Sequence, residues 1–218
     1  MKTALHKFFA RRGAIPAACY LLTLAGWLVL GAWNFGSDAA ARAGGTLAQQ
    51  QISLEEFQLV DLQAEGDGYV STSADPQIIL EDVSGRVVRT LSYQAEFDAD
   101  PREMCLYYTT AAGEPYSQDK RVFPTIGEDG SYVYTLPRTT IVSLRLDPCS
   151  PDATSPVTVQ FDGDAITLND AHALPSGLAY WLPSWYQLFC FVLYPALAAA
   201  VLSWLRAVWG ELRSRRKG

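Results

Sequence analysis

The chain has 218 residues, of which 49% are hydrophobic and 18% charged, enough for one domain of ordinary size and additional segments. Four basic and no acidic residues lie in residues 1–13, five basic and one acidic in residues 206–218, and 8 basic against 22 acidic between them, a central net charge of −14. So acidic a centre repels phosphate, which excludes nucleic acid as a partner. Basic ends around an acidic centre are typical of a membrane protein.

The first apolar segment, residues 14–33 (AIPAACYLLTLAGWLVLGAW), has twenty residues without a charge. A helix of that length crosses about 30 Å of hydrocarbon, so it predicts a transmembrane helix. The basic tail at residues 1–13 is then expected in the cytoplasm. An alternative is a signal peptide cleaved near Ala39–Ala41, and in either case the central domain is exported.

The second apolar segment predicts a transmembrane helix over residues 186–206, uncharged from Leu188 to Leu205 and expected to bend at Pro195. Tyrosines and tryptophans in the juxtamembrane segment 173–185 and near the exit of the helix match the two interfacial belts. The basic tail 207–218 is expected inside. These segments predict a protein of the cell membrane that contacts the lipid bilayer, with both termini cytoplasmic and the central domain extracytoplasmic.

Residues 34–51 are rich in small and polar side chains and predict a flexible linker. Residues 52–172 then show about ten short runs rich in Val, Ile, Tyr, Phe and Thr, separated by turn residues. The predicted fold class is all-β: a jelly-roll-like β-sandwich, exported and flanked by two transmembrane α-helices. Alternation predicts a core built from Met104, Leu106, Tyr108, Val142, Leu144, Leu146, Val157, Val159, Phe161, Ile166 and Leu168.

The segment from Thr139 to Pro148 (TTIVSLRLDP) alternates as a central strand. Leu144 and Leu146 point to the core, and Arg145 lies on the opposite face. One interpretation has Arg145 pairing with a carboxylate to cover the sheet. The other makes Arg145, with nearby tyrosines, a contact surface for a ligand or partner.

Cysteines are sorted by their predicted depth. Cys19 and Cys190 lie near opposite ends of antiparallel membrane helices and should not pair. Cys105 and Cys149 are both exported, where a disulfide persists, and they form a candidate bridge. Their spacing alone leaves both the paired and the free state open.

Enzyme signatures are missing from the sequence. Only His6 and His172 are available, and there is no P-loop, Gly-rich dinucleotide turn or CxxC, so no catalytic residue, metal site or cofactor is assigned and the protein is predicted not to be an enzyme. Two alternatives use the abundant carboxylates, such as Asp98, Asp129 and Asp162. Paired carboxylates serve a glycan hydrolase, and carboxylate oxygens bind structural calcium.

Tyrosines concentrate in one part of the exported domain. An aromatic face beside polar groups is the surface on which a sugar ring stacks, and the alternative is that these side chains fill the core. The candidate ligand-binding residues are Tyr108, Tyr116, Tyr132, Tyr134 and Arg145.

Several segments of the central domain resemble a known family: YVSTSADPQIIL, LYYTTAAGEPYSQ and YTLPRTTIVSLRLDP, followed by VTVQFDGDAITLND. They look like the galactose-binding-like jelly-roll domain of bacterial membrane proteins that assemble surface polysaccharides, joined there to glycosyltransferase or rhamnan-synthesis regions. The resemblance implies a non-catalytic carbohydrate-binding accessory module of polysaccharide assembly. This chain has no glycosyltransferase region, so the alternative is a scaffold that docks onto a separate multi-pass glycosyltransferase or flippase.

Overall fold

The computed structural model describes residues 13–152 and 154–216. The chain divides into two units: a β unit, Asp38–Pro175, and a helical unit made of the described parts of Met1–Ser37 and Ser176–Gly218. Most of the predicted N-terminal basic tail and the last two residues of the C-terminal one lie outside the described residues. Each unit is considered by itself below.

Two helices, α1 (Ala14–Ala43) and α2 (Trp185–Arg215), are long and apolar enough to cross a membrane. The predicted linker is wrong over residues 34–43, because α1 continues through them. The alanines near its end are the best helix formers, which favours this extension. Ser184 caps the start of α2. Its hydroxyl accepts from the backbone amide of Gln187, and its own backbone amide donates to the side-chain oxygen of Gln187. The helix continues through Pro195.

Side-chain to backbone hydrogen bonds join the two sides of the helical unit at two levels. Trp27 Nε1 donates to the carbonyl of Trp181 (3.1 Å), and Trp181 Nε1 donates to the carbonyl of Leu28 (3.1 Å). Further along, the Tyr20 hydroxyl donates to the carbonyl of Val192 in α2 (3.0 Å). These bonds fix the spacing between the two sides of the helical unit.

The β unit contains three antiparallel sheets, which confirms the predicted all-β fold class. Sheet A has the order β1 (Gln50–Ser53), β14 (Ala165–Leu168), β6 (Thr90–Tyr93), β11 (Tyr132–Thr135), β10 (Thr125–Ile126). Sheet B has the order β2 (Gln58–Val60), β5 (Gln77–Leu80), β12 (Leu144–Asp147), β8 (Cys105–Tyr108), β9 (Arg121–Val122). Sheet C has the order β3 (Leu62–Glu65), β4 (Gly68–Ser71), β13 (Thr158–Phe161), β7 (Ala95–Phe97).

The core lies between these sheets and includes most of the predicted residues. Met104, Leu106, Leu144, Leu146, Val157, Val159, Phe161, Ile166 and Leu168 are all buried. Each large aliphatic or aromatic side chain buried in this way contributes about 1.5–3 kcal/mol. Tyr108 and Val142 are only half-buried, in contrast to their predicted positions.

A β-bulge breaks the predicted alternation just before β12. The amide of Thr109 donates to the carbonyl of Ser143 (3.1 Å), and the amide of Val142 donates to the carbonyl of Thr109 (3.0 Å). Two residues therefore face one, which shifts the side-chain parity by one position. Ile141 is consequently buried, although the pattern placed it on the outer face. Beyond the bulge, Arg145 points outward as predicted.

The run from Val87 to Phe97, whose composition is typical of one continuous strand, is divided between sheets A and C. It forms β6 and β7, separated by Gln94. The carbonyl of Gln94 accepts from the amide of Asp162 (2.9 Å), at the end of β13. This crossing creates the corner at which the candidate site lies.

Candidate functional site

Arg145 is held by the domain's own carboxylates. Its Nε and Nη2 donate to the two oxygens of Asp147 (2.8 Å each), and Nη2 also donates to Asp75 Oδ1 (2.7 Å). The guanidinium lies 5.1 Å from the ring centre of Tyr107, which pairs with Arg145 across β8 and β12. These contacts agree with the interpretation in which Arg145 pairs with a carboxylate and covers the outer face of sheet B.

Asp147 is the buried member of this group, with 4% of its surface exposed. Burial raises the pKa of its carboxyl to about 6, and Asp75 adds to this effect, whereas Arg145 opposes it. The cost of desolvating the carboxylate therefore exceeds the benefit of the ion pair.

Tyr116 lies near Arg145 but its hydroxyl is engaged. It donates to Ser143 Oγ (3.0 Å), and the hydroxyls of Ser143 and Thr109 lie 2.7 Å apart. The residues that follow β8 thus fold over the outer face of sheet B. Of the candidate residues, the structure brings only Tyr116 and Arg145 together on this face.

The other three candidate tyrosines belong to the interior or its edge. Tyr134 is fully buried, with its hydroxyl 3.2 Å from that of Tyr93, so its predicted contact with a ligand is wrong. The reason is that β11 is an interior strand of sheet A, with Tyr134 on its core face. Tyr132 is half-buried, with its ring 5.5 Å from Tyr93, and Tyr108 packs against the core.

Cys105 and Cys149 do not form the candidate disulfide. Both are free thiols, and both are buried. Cys105 faces Asp147 across β8 and β12, with its sulfur 3.9 Å from Asp147 Oδ2. Burial raises the pKa of each thiol to about 11, so both are protonated at neutral pH.

A polar groove of about 530 Å³ opens at the corner between sheets A and C. Its polar side chains are Gln94, Glu96, Asp129, Gln160 and Asp162. They come from the crossing between β6 and β7, the turn between β10 and β11, and the end of β13. A groove lined by turns on a rigid sheet framework is a common location for binding sites.

Gln160 and Glu96 are adjacent lining residues of the polar groove. They are direct partners across β13 and β7, and both side chains are exposed. Directly opposed residues have Cβ atoms about 4.5–5.5 Å apart, so the amide and the carboxylate are neighbours on one face of sheet C. Beside them the Gln94 amide donates to the carbonyl of Asp129 (3.1 Å), which ties the turn to the sheet.

Asp129 is fixed in its ionised form. Its Oδ1 accepts from the hydroxyl (2.7 Å) and the amide (3.0 Å) of Ser131, and these bonds lower the pKa of the carboxyl. Together with Glu96 and Asp162 it makes the polar groove negative, and none of the described residues that line the groove is basic. The charge alone disfavours an anionic ligand.

The carboxylates considered for metal binding are dispersed. Within residues 13–152 and 154–216, no group of three or more His, Cys, Asp or Glu side chains is arranged to hold a metal ion. Asp98, one of the carboxylates considered for calcium or hydrolysis, accepts from the amide and hydroxyl of Thr158 (2.7 Å each). Those bonds lower the pKa of Asp98 and join the end of β7 to β13.

The sequence contained part of the signal for the polar groove. Inward Val159 and Phe161 place Gln160 outward by strand alternation. Its partner Glu96 depends on the register between β13 and β7, and on the division of a single apparent strand at Gln94. Neither follows from periodicity, so the groove was not predicted.

The sequence matches no protein-family model and no curated protein. Among solved structures, the chain is similar to a low-affinity xylan-binding module, CBM86, from Roseburia intestinalis: 12% identity, 58% of this chain and 99% of that one, TM-score 0.37. It is also similar to a β-1,3-glucan-binding CBM6 from Bacillus halodurans: 10% identity, 56% and 96%, TM-score 0.37. A family two carbohydrate esterase from Cellvibrio japonicus shows 10% identity over 60% of this chain and 36% of the esterase, TM-score 0.36.

Proposed function

We propose that this protein is a membrane-anchored, non-catalytic glycan-binding module. The β unit binds a sugar chain in the polar groove, and α1 and α2 anchor the chain in the cell membrane with the β unit outside. The observation on which this rests is the exposed pair of Gln160 and Glu96 in an open groove bordered by further amide and carboxylate groups.

The chemistry of the polar groove suits sugar hydroxyls. A hydroxyl both donates and accepts a hydrogen bond, a carboxylate only accepts, and a primary amide does both. Adjacent hydroxyls on a pyranose ring therefore match the neighbouring Gln160 amide and Glu96 carboxylate. Because the groove is open to solvent, it accommodates a segment of a longer chain.

Catalysis is disfavoured by the state of Asp129. A glycosidase needs one carboxylic acid with a raised pKa to protonate the leaving group. The hydrogen bonds from Ser131 shift the pKa of Asp129 in the opposite direction. We therefore assign binding, with Asp129 shaping the turn.

The function is tested by binding of soluble oligosaccharides to the full chain in lipid nanodiscs. A panel of neutral, amino and uronate oligosaccharides of equal length separates hydrogen bonding from charge. We expect neutral or amino oligosaccharides to bind, and uronates to bind at least about tenfold more weakly, since one repulsive contact worth about 1.4 kcal/mol has that effect. Binding of none of the panel, or equal binding of uronates, contradicts the proposal.

The biological setting proposed is assembly of a cell-surface polysaccharide, as the resemblance of the central domain implies. In that setting the module works beside a multi-pass glycosyltransferase or flippase. A photoreactive amino acid in place of the exposed Phe123 allows cross-linking in native membranes. A specific cross-link to such a protein supports this setting, and cross-links only between copies of this chain argue against it.

A further inference from the structure

A second groove, the helix groove, lies within the helical unit and has a volume of about 220 Å³. Its lining includes Gly26, Trp27 and Leu30 of α1 and Gln187, Phe191 and Tyr194 of α2. The sequence between Ala14 and Trp33 and that between Leu188 and Leu205 contain no charge. The walls of the helix groove are therefore almost entirely apolar.

Hydrogen bonds fix the two sides of the helix groove relative to one another. Trp27 Nε1 donates to the carbonyl of Trp181, and the Tyr20 hydroxyl donates to the carbonyl of Val192. Between them the rings of Trp27 and Phe191 meet edge to face, with centroids 4.9 Å apart. Closing the groove by sliding the helices together would break these contacts, so it is a fixed feature of the pair.

The protein leaves the floor of the helix groove unfilled. A Cβ atom placed on Gly26 would have no heavy atom within 4 Å, apart from its own helix backbone and chain neighbours. The hydroxyl of Thr23, which lines the groove on α1, donates to the carbonyl of Cys19 in its own helix (3.0 Å). The space beside Gly26 is thus unfilled, and the Thr23 hydroxyl is already satisfied within its own helix.

We infer that the helix groove is a binding site for one acyl chain of a membrane phospholipid. The inference rests on the membrane anchoring in the proposed function. The volume of about 220 Å³ is small, and a flexible, unbranched hydrocarbon chain fits a small groove without a fixed complementary surface of its own. The apolar lining offers dispersion contacts that an empty space would lose.

Polarity along the helix groove gives the orientation of the lipid. Gln187 lies at the start of α2, and its side-chain oxygen accepts from the amide of Ser184 (2.7 Å). Phe191 and Tyr194 follow one and two turns further into the uncharged segment. The headgroup therefore lies at the Gln187 end, in the interface, and the acyl chain runs past Phe191.

The test uses the full chain in nanodiscs containing phosphatidylcholine with a diazirine on one acyl chain. We expect photolabel on groove residues such as Leu30 and Phe191 in excess over Leu22 and Val201, which are exposed elsewhere on the same helices. G26L should reduce groove labelling by roughly tenfold, because a leucine fills the space. G36L is the matched control, since Gly36 also lies in α1 with nothing within 4 Å of its added Cβ.

A second variant separates filling of the helix groove from damage to the helix pair. L30A enlarges the groove and should increase its labelling, whereas damage to the helices would spread the label over both surfaces. Even labelling around both helices, or no response to G26L and L30A, overturns the inference, as does preferential labelling by a polyprenyl diazirine in place of the phospholipid. Extraction of the protein by alkaline carbonate would instead show that the membrane anchoring of the proposed function fails.

Discussion

At the scale of single residues, Asp147 is a carboxylate whose buried environment disfavours its ionised form. It has one arginine partner, yet it is buried beside a thiol, and a second carboxylate shares its arginine. Arg145 compensates for only part of the desolvation. The group therefore links the stability of the β unit to pH.

The expected sign follows from the raised pKa of Asp147, about 6 when folded against 3.8 when unfolded. Well below pH 3.8 the carboxyl is protonated in both states, and its full contribution to stability is present. As pH rises to about 6, the folded state retains the proton that the unfolded state has lost, so the free energy of unfolding falls by up to about 3 kcal/mol.

Denaturant unfolding of the full chain in detergent micelles measures this effect. The D147N variant, which does not titrate, should lack this fall between pH 4 and 6. If the wild type and D147N show parallel pH profiles, the assigned pKa of Asp147 is contradicted.

At the scale of elements, the end of α1 belongs to the β unit, which begins at Asp38. Asp38 is fully buried and accepts from Arg138 through both oxygens (2.8 and 2.6 Å) and from Arg89 Nε (3.1 Å). Arg89 precedes β6 and Arg138 follows β11, so one carboxylate joins the helix end to two neighbouring strands of sheet A.

Replacing this carboxylate should release the helix end. We expect D38A to lower the free energy of unfolding of the β unit by about 3 kcal/mol, at the lower end for a broken buried pair because both arginines keep some hydration. Hydrogen exchange should accelerate in residues 38–47. The control is D152A, whose ion pair with Arg102 is more than half exposed and whose removal should leave stability nearly unchanged. Equal effects of the two variants would contradict the role of Asp38.

The elements also show what sequence reasoning captures. Alternation identified β8, β12, β13 and β14 and their core residues, since every second side chain of each strand packs in or against the core. It failed where hydrogen bonding reset the pattern, at the bulge beside Thr109 and at the division of β6 from β7. The linker prediction is wrong at Asp38 because this charged residue is paired inside the β unit. Its partners, Arg89 and Arg138, lie 51 and 100 residues away in the sequence.

At the scale of the whole molecule, the charge distribution and the two apolar helices predict the topology. From the basic ends and the central charge of −14, we predict that both termini lie in the cytoplasm and the β unit outside. Single substitutions S84C and S214C, both at exposed positions, test this with a membrane-impermeant maleimide on intact cells. S84C should react at once and S214C only after permeabilisation. The reverse pattern, or reaction of both in intact cells, contradicts the topology.

The candidate site shows the same division between local and long-range information. The concentration of tyrosines in one part of the sequence predicts a sugar-binding face. In the structure, however, Tyr134 is buried in the core and the Tyr116 hydroxyl is hydrogen-bonded to Ser143. The polar groove depends on register and on turns distant in sequence. Its residues are ordinary glutamines and carboxylates, which no local pattern distinguishes from a solvated face.

The most direct measurement of the central claim compares glycan affinity of Q160A and Q63A, in the full chain in nanodiscs, for the best ligand of the oligosaccharide panel. Both are exposed glutamines of sheet C, but Gln160 is in the polar groove and Gln63 is on β3, at the far edge of the sheet. Loss of hydrogen bonds worth about 1–1.5 kcal/mol should weaken binding by Q160A roughly tenfold and leave Q63A unchanged. Wild-type affinity in Q160A, or equal loss in both variants, would contradict binding of glycan in the polar groove.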